Sequence, residues 1–184
     1  MSPVDQSAVG DQGDDMAIGY IAAAERIEME IGPLQTEACL DVGCNSGAGM
    51  ETLAKRWPLT VWFGLEPVEK YALMARSRGF AERIAIFSAE EMSYRAAFFD
   101  FIFTRHNLEH IPDRAKAIAE ITRILKPGGR LYVQAPIEPG GSPNDLHVSP
   151  FKTHDELRSA FPGLKELYWG PQETVAELIL EKPC

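Results

Sequence analysis

The sequence predicts an α/β fold: a mostly parallel sheet between helical layers, closed by an antiparallel C-terminal hairpin. Three observations lead there. Short apolar segments alternate with segments of helical periodicity from about residue 38 to residue 135, which is the pattern of βαβ units. The segment Phe99–Thr104 is apolar at nearly every position, as a strand covered on both faces must be. The last two apolar segments, 164–169 and 174–181, flank Gly170-Pro171, a pair that turns the chain back on itself.

The elements follow in order. Residues 1–15 hold Pro3, Gly10, Gly13 and four Asp and are expected to form a disordered tail. Residues 16–184 are expected to form a single domain. A helix starts near Asp14–Asp15, whose charges suit a helix N-terminus. Met16, Ile21, Ala24, Ile27 and Ile31 lie on roughly one face of it, and Gly32-Pro33 ends it. Residues 38–42 form the first strand and 47–57 a helix ended by Pro58. Residues 60–65 form the second strand and 68–78 a helix ended by Gly79. The third strand spans 83–87 and the fourth 99–104. A helix over 113–125 carries Ile118, Ile121 and Leu125 in register, and a fifth strand follows at 130–135. Pro136–Pro150 holds four Pro and two Gly and reads as a long loop. Thr153 and Glu156 form a capping box for a short helix over 153–161.

Composition narrows the function. The formal net charge is -9, which disfavours nucleic acid, because phosphate contacts need Lys and Arg to release counterions. Cys39, Cys44 and Cys184 form no C-x-x-C pair, so neither a disulfide framework nor a cysteine zinc site is indicated, and a cytoplasmic setting is expected. The polar, acidic N-terminus does not read as a signal peptide, and no apolar run reaches membrane-spanning length. The expected partner is a small-molecule substrate, and a homodimer is compatible with the chain.

The chemistry concentrates where the first strand meets the following helix. Asp41-Val42-Gly43-Cys44-Asn45-Ser46-Gly47-Ala48-Gly49 is a glycine-rich turn, which lets the backbone bend sharply and offers free N–H groups at a helix N-terminus. Glu66 follows the second strand, 23 residues after Gly43, where a carboxylate accepts hydrogen bonds from ribose hydroxyls. The pair suggests an adenosine-containing ligand. A dinucleotide site requires a second glycine where Asn45 stands, so the loop disfavours a nicotinamide cofactor.

These residues carry a family resemblance. Asp41 to Gly47 resembles the D-x-G-x-G-x-G motif of class I S-adenosylmethionine-dependent methyltransferases, and Leu65-Glu66-Pro67 resembles their ribose-binding acidic position. Ser88-Ala89-Glu90-Glu91-Met92 resembles their adenine-binding segment. Phe99–Asp113, which includes Arg105 and Leu108-Glu109-His110, resembles the F-D-x-V…L-E-H stretch of the ubiquinone/menaquinone-biosynthesis-like members. Leu125-Lys126-Pro127-Gly128-Gly129-Arg130-Leu131 resembles their L-K-P-G-G-x-L turn. The resemblance covers about residues 36–135. It implies a Rossmann-like three-layer sandwich with a seven-stranded sheet and S-adenosylmethionine as cofactor. The cofactor-binding residues it implies are Asp41, Gly43, Cys44, Asn45, Gly47, Glu66, Pro67, Ser88, Ala89, Glu90 and Arg105. Two positions depart from the pattern. Asn45 replaces the middle glycine, a substitution the left-handed conformation tolerates. Ser88 replaces an Asp, leaving Glu90 as an alternative partner for the adenine amino group.

Two histidines are catalytic candidates. His106 follows the fourth strand near the expected methyl group. His147 lies in a segment, residues 144–157, resembling an H-x-x-x-F-[ST]-x-x-x-L segment of related methyltransferases. Loops beyond the carboxyl ends of the strands are natural substrate walls. The expected acceptor pocket lies between Tyr20 and Ile21 on one side and residues 139–154 on the other. His106-Asn107-Leu108-Glu109-His110 also spells the inverted zincin motif H-x-x-E-H. Pro112 leaves room for one helical turn at most, so no catalytic metal is expected from these letters, and His110 reads as a buried structural histidine. The function expected is methyl transfer to a small molecule that the sequence does not identify. The alternative is a cofactor-binding partner or regulatory subunit that transfers no methyl group itself.

Overall fold

The computed structural model describes residues 13–35, 37–141 and 145–184, with side chains from residue 17 onward. One sheet holds β1 (Ala38–Val42), β2 (Val61–Leu65), β3 (Ile84–Ala85), β4 (Phe99–Arg105), β5 (Leu125–Pro136), β6 (Lys165–Pro171) and β7 (Val175–Glu181). The strand order is β3-β2-β1-β4-β5-β7-β6. β7 runs antiparallel to β5 and β6, and the other pairs are parallel. The order reverses between β1 and β4, which opens a crevice at their carboxyl ends where ligands of such sheets bind.

Side-chain alternation assigns each face of the sheet to a layer. Leu40, Val42, Phe99, Ile102, Leu131 and Val133 join Ile118, Ile121 and Ile124 of α4 (Arg114–Ile124) and Leu157 of α5 (His154–Arg158) in one core. Cys39, Phe101, Phe103 and Tyr132 point the other way. They pack with Tyr20, Ala23 and Ile27 of α1 (Gly13–Ile31), Met50 and Leu53 of α2 (Ala48–Arg56), and Ala72 and Ala75 of α3 (Glu69–Ala75). Tyr20, Phe103 and Tyr132 stack in series with ring centroids 4.9 Å apart at each step. A fully buried Phe contributes about 1.5–3 kcal/mol by burial alone, and stacking adds to that. This series fixes the height of α1 over the first turn of the sheet. At the opposite end of the sheet Asp100 accepts bonds from the Ala38 N–H (3.0 Å) and Lys126 Nζ (2.6 Å), tying β1, β4 and the Lys-Pro-Gly-Gly segment together.

The boundaries differ from expectation in several places, and the C-terminal hairpin turns at residues 172–174 rather than at Gly170-Pro171, both of which pair with β7. α1 begins at Gly13, inside the tail expected over residues 1–15. Residues 1–12 lie outside the described residues, so the rest of that expectation does too. β3 is two residues long rather than five, because the chain leaves α3 through a π turn, Arg76–Phe80, and a short 3-10 turn. It reaches the sheet only opposite Gly64 and Leu65. β5 starts at Leu125, since Phe99 already pairs with it before the Gly128–Gly129 irregularity. α5 stops at Arg158 rather than 161. Thr153 caps it by accepting from the Glu156 N–H, but the Glu156 carboxylate turns to the Lys152 N–H instead of closing the reciprocal box.

Candidate active site

The loop after β1 is built on one carbonyl and one carboxylate. Leu65 O, at the end of β2, accepts from both the Gly43 N–H (2.8 Å) and the Cys44 N–H (3.1 Å). Glu66, 6% exposed, accepts from the Asn45 N–H through Oε2 (3.0 Å) and from the Val68 N–H through Oε1 (2.8 Å). Burial raises the pKa of its carboxyl, and these two N–H groups oppose the rise. Asn45 takes a left-handed backbone (φ 48) as expected, and its Oδ1 accepts from the Ser46 N–H at 2.6 Å. The glycines at 43 and 47 are required by both φ and space. Gly43 has φ 83, and a Cβ on it would lie 2.3 Å from Asn107 Oδ1. Gly47 has φ 79, and its Cβ would lie 2.8 Å from Ala75 Cβ. Cys44 fills the space beside Gly64. Burial holds its thiol well above the usual range, so it is an inert filler.

Beneath this loop Asp41 is fully buried. Its Oδ2 accepts from the Tyr20 hydroxyl at 3.0 Å, and burial pushes its carboxyl up to about 7. Asp41 Oδ1 and Ser46 Oγ are buried without hydrogen-bond partners. Buried oxygens of this kind are rare unless something completes them. The ammonium group of an amino-acid moiety and the diol of a ribose would complete this loop, so these residues fit the cofactor the resemblance implies. Arg105 lies with its guanidinium 5.9 Å over the Tyr20 ring and against Gly19. Pro67 is exposed at the rim. Ala89 is buried, while Ser88 donates to Glu90 Oε2 at 2.8 Å and Glu90 Oε1 accepts from the Asp113 N–H at 2.7 Å.

The second half of the site lies where β4 ends. His106 has a left-handed backbone (φ 46), and its N–H donates to Gln134 O at 2.9 Å. The chain then makes a single 3-10 turn, Leu108–His110. Burial first, then the Arg105 charge, pushes His106 down to about 4, so its imidazole is neutral at pH 7 and a weak base. The loop after β5 folds down onto this turn. Ser149 donates its N–H to Glu109 O (3.0 Å) and its hydroxyl to Ile111 O (2.6 Å), and Ile137 bridges to Phe151. His147 is thereby brought against His110, with ring centroids 4.7 Å apart. His110 Nδ1 lies 3.1 Å from Leu146 O, and His147 Nδ1 lies 2.9 Å from Glu138 Oε1. Among the described residues Glu109, His110 and His147 form a group in which one ligand atom from each lies within 4.8 Å of the others.

The expected residues thus fall into two adjoining groups. Gly43, Cys44, Asn45 and Glu66 are tied together through Leu65 O and the Glu66 carboxylate, Asp41 is bonded to Tyr20, and Asn107 packs against Gly43 at the start of the turn holding Glu109 and His110. Tyr20 is buried at 3%, while Ile21 is 46% exposed. Tyr20 therefore packs into the core under the loop after β1, and of that expected pair only Ile21 faces outward. Sequence reasoning missed Glu109 and Glu138 as site residues, and it missed the hydroxyl of Tyr20 as the partner of Asp41. Glu109 was visible inside the H-x-x-E-H letters, but no local pattern marks Glu138 or Tyr20.

Comparison with known proteins adds the family. The family described as "Methyltransferase domain" matches residues 40–133. The methyltransferase GfsG of Streptomyces halstedii is 32% identical over 114 residues, covering 59% of this chain and 40% of that protein. A ubiquinone biosynthesis O-methyltransferase of Xylella fastidiosa is 34% identical over 104 residues, covering 55% of this chain and 42% of that protein. The chain therefore spans less than half the length of either relative. Among solved structures, phosphoethanolamine N-methyltransferase 2 of Haemonchus contortus was determined with phosphomonomethylethanolamine and S-adenosylhomocysteine. It superposes with a TM-score of 0.73 at 16% identity, covering 91% of this chain and 53% of that one. At that identity the likeness shows the fold alone.

Proposed function

The chain belongs to the methyltransferase domain family, whose cofactor is S-adenosylmethionine, and we propose that it transfers a methyl group from that cofactor to a small-molecule acceptor. The observation that carries this reading is the Glu66 junction. One carboxylate receives the N–H groups of Asn45 and Val68, so the loop that would receive the amino-acid end and the carboxylate that would receive the ribose are a single preorganised unit. When bound, the cofactor supplies a sulfonium methyl that is already activated, so that an acceptor lone pair forms the new bond to carbon as the carbon–sulfur pair returns to sulfur.

The residues of the chain hold and orient. Glu66 would accept from the ribose hydroxyls on the lone pairs its two N–H bonds leave. Asp41 Oδ1 and Ser46 Oγ would meet the amino-acid end, Pro67 would border the ribose, and Ser88, Ala89 and Glu90 would border the adenine. Arg105, packed on Tyr20, would hold that wall of the cofactor site in place. Of the two histidines expected to be catalytic, His147 is the better supported. A carboxylate on its Nδ1 makes that nitrogen the protonated one, so Nε2 carries the lone pair on the acceptor side. His106 is the less supported of the two, because burial and the Arg105 charge hold its imidazole low. The -9 charge supports a small-molecule acceptor rather than nucleic acid. The free thiols Cys39, Cys44 and Cys184 support a cytoplasmic setting. No described helix is long and apolar enough to cross a membrane.

The test is transfer of a labelled methyl group from S-adenosylmethionine to a panel of small hydroxyl, amine and carboxylate acceptors. A labelled product that disappears with His147→Ala is expected. Binding of the cofactor with transfer to no acceptor would overturn methyl transfer and leave a cofactor-binding partner or regulatory subunit.

A further inference from the structure

We propose that Glu109, His110 and His147 bind one divalent cation of the zinc class on the acceptor side of the cofactor site. Three acceptor groups, a carboxylate and two imidazoles, place ligand atoms within 4.8 Å of one another. Leu146 O can only accept a hydrogen bond, so His110 Nδ1 carries the proton and Nε2 carries the lone pair. The Glu138 carboxylate imposes the same tautomer on His147. A backbone carbonyl on one imidazole and a carboxylate on the other are the outer partners that orient histidines toward a metal.

A second observation is independent of the imidazoles. Glu109 is 1% exposed, and its Oε2 is buried with no hydrogen-bond partner. A cation would complete that oxygen and relieve the convergence of lone pairs in one contact. Two histidines and one carboxylate suit zinc and its first-row neighbours rather than magnesium or calcium, which prefer oxygen donors throughout. The set is not the one the H-x-x-E-H letters suggest. His106 is outside it, and the third ligand arrives from the loop after β5, held by Ser149 to Leu108 and Glu109 of the 3-10 turn and to Ile111 just after it. Three protein ligands leave a position for water or for an oxygen of the acceptor. A hydroxyl bound there loses its proton more readily, so with the cation in place His147 acts as its ligand and not as the free base considered for the chain without metal. That last role rests on the methyl-transfer reading, whereas the site itself does not.

The experiment is equilibrium dialysis of the chelator-treated 184-residue chain against Zn2+ in excess Mg2+, with S-adenosylhomocysteine affinity measured in parallel by calorimetry. One zinc per chain is expected. Glu109→Gln and His147→Ala should each weaken zinc roughly tenfold or more, and Glu138→Gln, through the orientation of His147, by about tenfold. His154→Ala should not change it. Unaltered S-adenosylhomocysteine binding in every variant shows that each one folds and separates failure of the metal site from failure of the cofactor reading. The Co2+ form should show a visible spectrum without a thiolate charge-transfer band, which excludes Cys184. A chain that takes up no zinc, or zinc that survives both Glu109→Gln and His147→Ala, overturns the proposal.

Discussion

Replacing Glu66 with alanine removes three things at once: the acceptor of the Asn45 N–H at 3.0 Å, the acceptor of the Val68 N–H at 2.8 Å, and the carboxylate proposed to receive the ribose. Hydrogen bonds to a charged group contribute about 1.5–3 kcal/mol each. Losing the equivalent of one such bond to the ribose should therefore raise the dissociation constant of S-adenosylhomocysteine by about 10- to 150-fold. Stability responds less than the two backbone bonds alone imply, because burial opposes the charge of this carboxyl, and relief of that burial offsets part of the loss. Glu66→Gln is the sharper variant. Its amide oxygen can serve one of the two backbone donors, but its NH2 must then face the other, so the isosteric change should cost affinity comparably to alanine. Calorimetric titration with S-adenosylhomocysteine, paired with urea unfolding to confirm folding, reads both. Wild-type affinity in Glu66→Ala would refute the assignment of the ribose to Glu66, and wild-type affinity in Glu66→Gln would refute the two-donor geometry.

Three further outcomes follow. Because burial pushes Asp41 from its ordinary 3.8 up to about 7, the folded chain without cofactor holds a proton that the unfolded chain releases. Its stability should then be greatest below that window and fall by a few kcal/mol as pH rises through it; Asp41→Asn should flatten that slope in urea unfolding profiles, and a slope identical to wild type would contradict it. Gly47→Ala forces a Cβ to 2.8 Å from Ala75 Cβ at φ 79 and should destabilise the chain by about 1–3 kcal/mol, whereas Gly163→Ala, which meets nothing within 4 Å, should show only the cost of its positive φ; equal losses in thermal unfolding would show that contact with α3 contributes nothing. His147→Ala should lower methyl transfer at least tenfold with S-adenosylhomocysteine affinity unchanged, an outcome in the range for a single proton-handling or orienting group; transfer at the wild-type rate would make the residue structural.

Local chemistry made much of this legible before any coordinates. Asn45 was readable as a left-handed residue because few side chains tolerate that conformation, and it adopts φ 48. The alternation of Phe99 to Thr104 into two buried faces follows from an apolar run with no polar side. The Lys-Pro-Gly-Gly turn announced a tight return, although Phe99 pairs with Leu125 before it, a register no single strand reveals. What escaped depends on contacts distant in sequence. His110 and His147 meet because Ser149 and Phe151 anchor the loop after β5, and nothing near either histidine encodes that anchoring. Tyr20 reads as one apolar position of a helix, and its hydroxyl finds Asp41 only because Phe103 and Tyr132 set the height of α1. β3 was overestimated because an edge strand's length is set by where the preceding turn delivers the chain, not by the apolar run available.

The most direct test of the account is calorimetric titration of the 184-residue chain with S-adenosylhomocysteine and, separately, with NAD. The glycine loop joined to Glu66, with Asn45 where a dinucleotide site requires glycine, predicts one S-adenosylhomocysteine per chain and no heat with NAD. Binding of NAD, or no binding of S-adenosylhomocysteine by the folded chain, would contradict it.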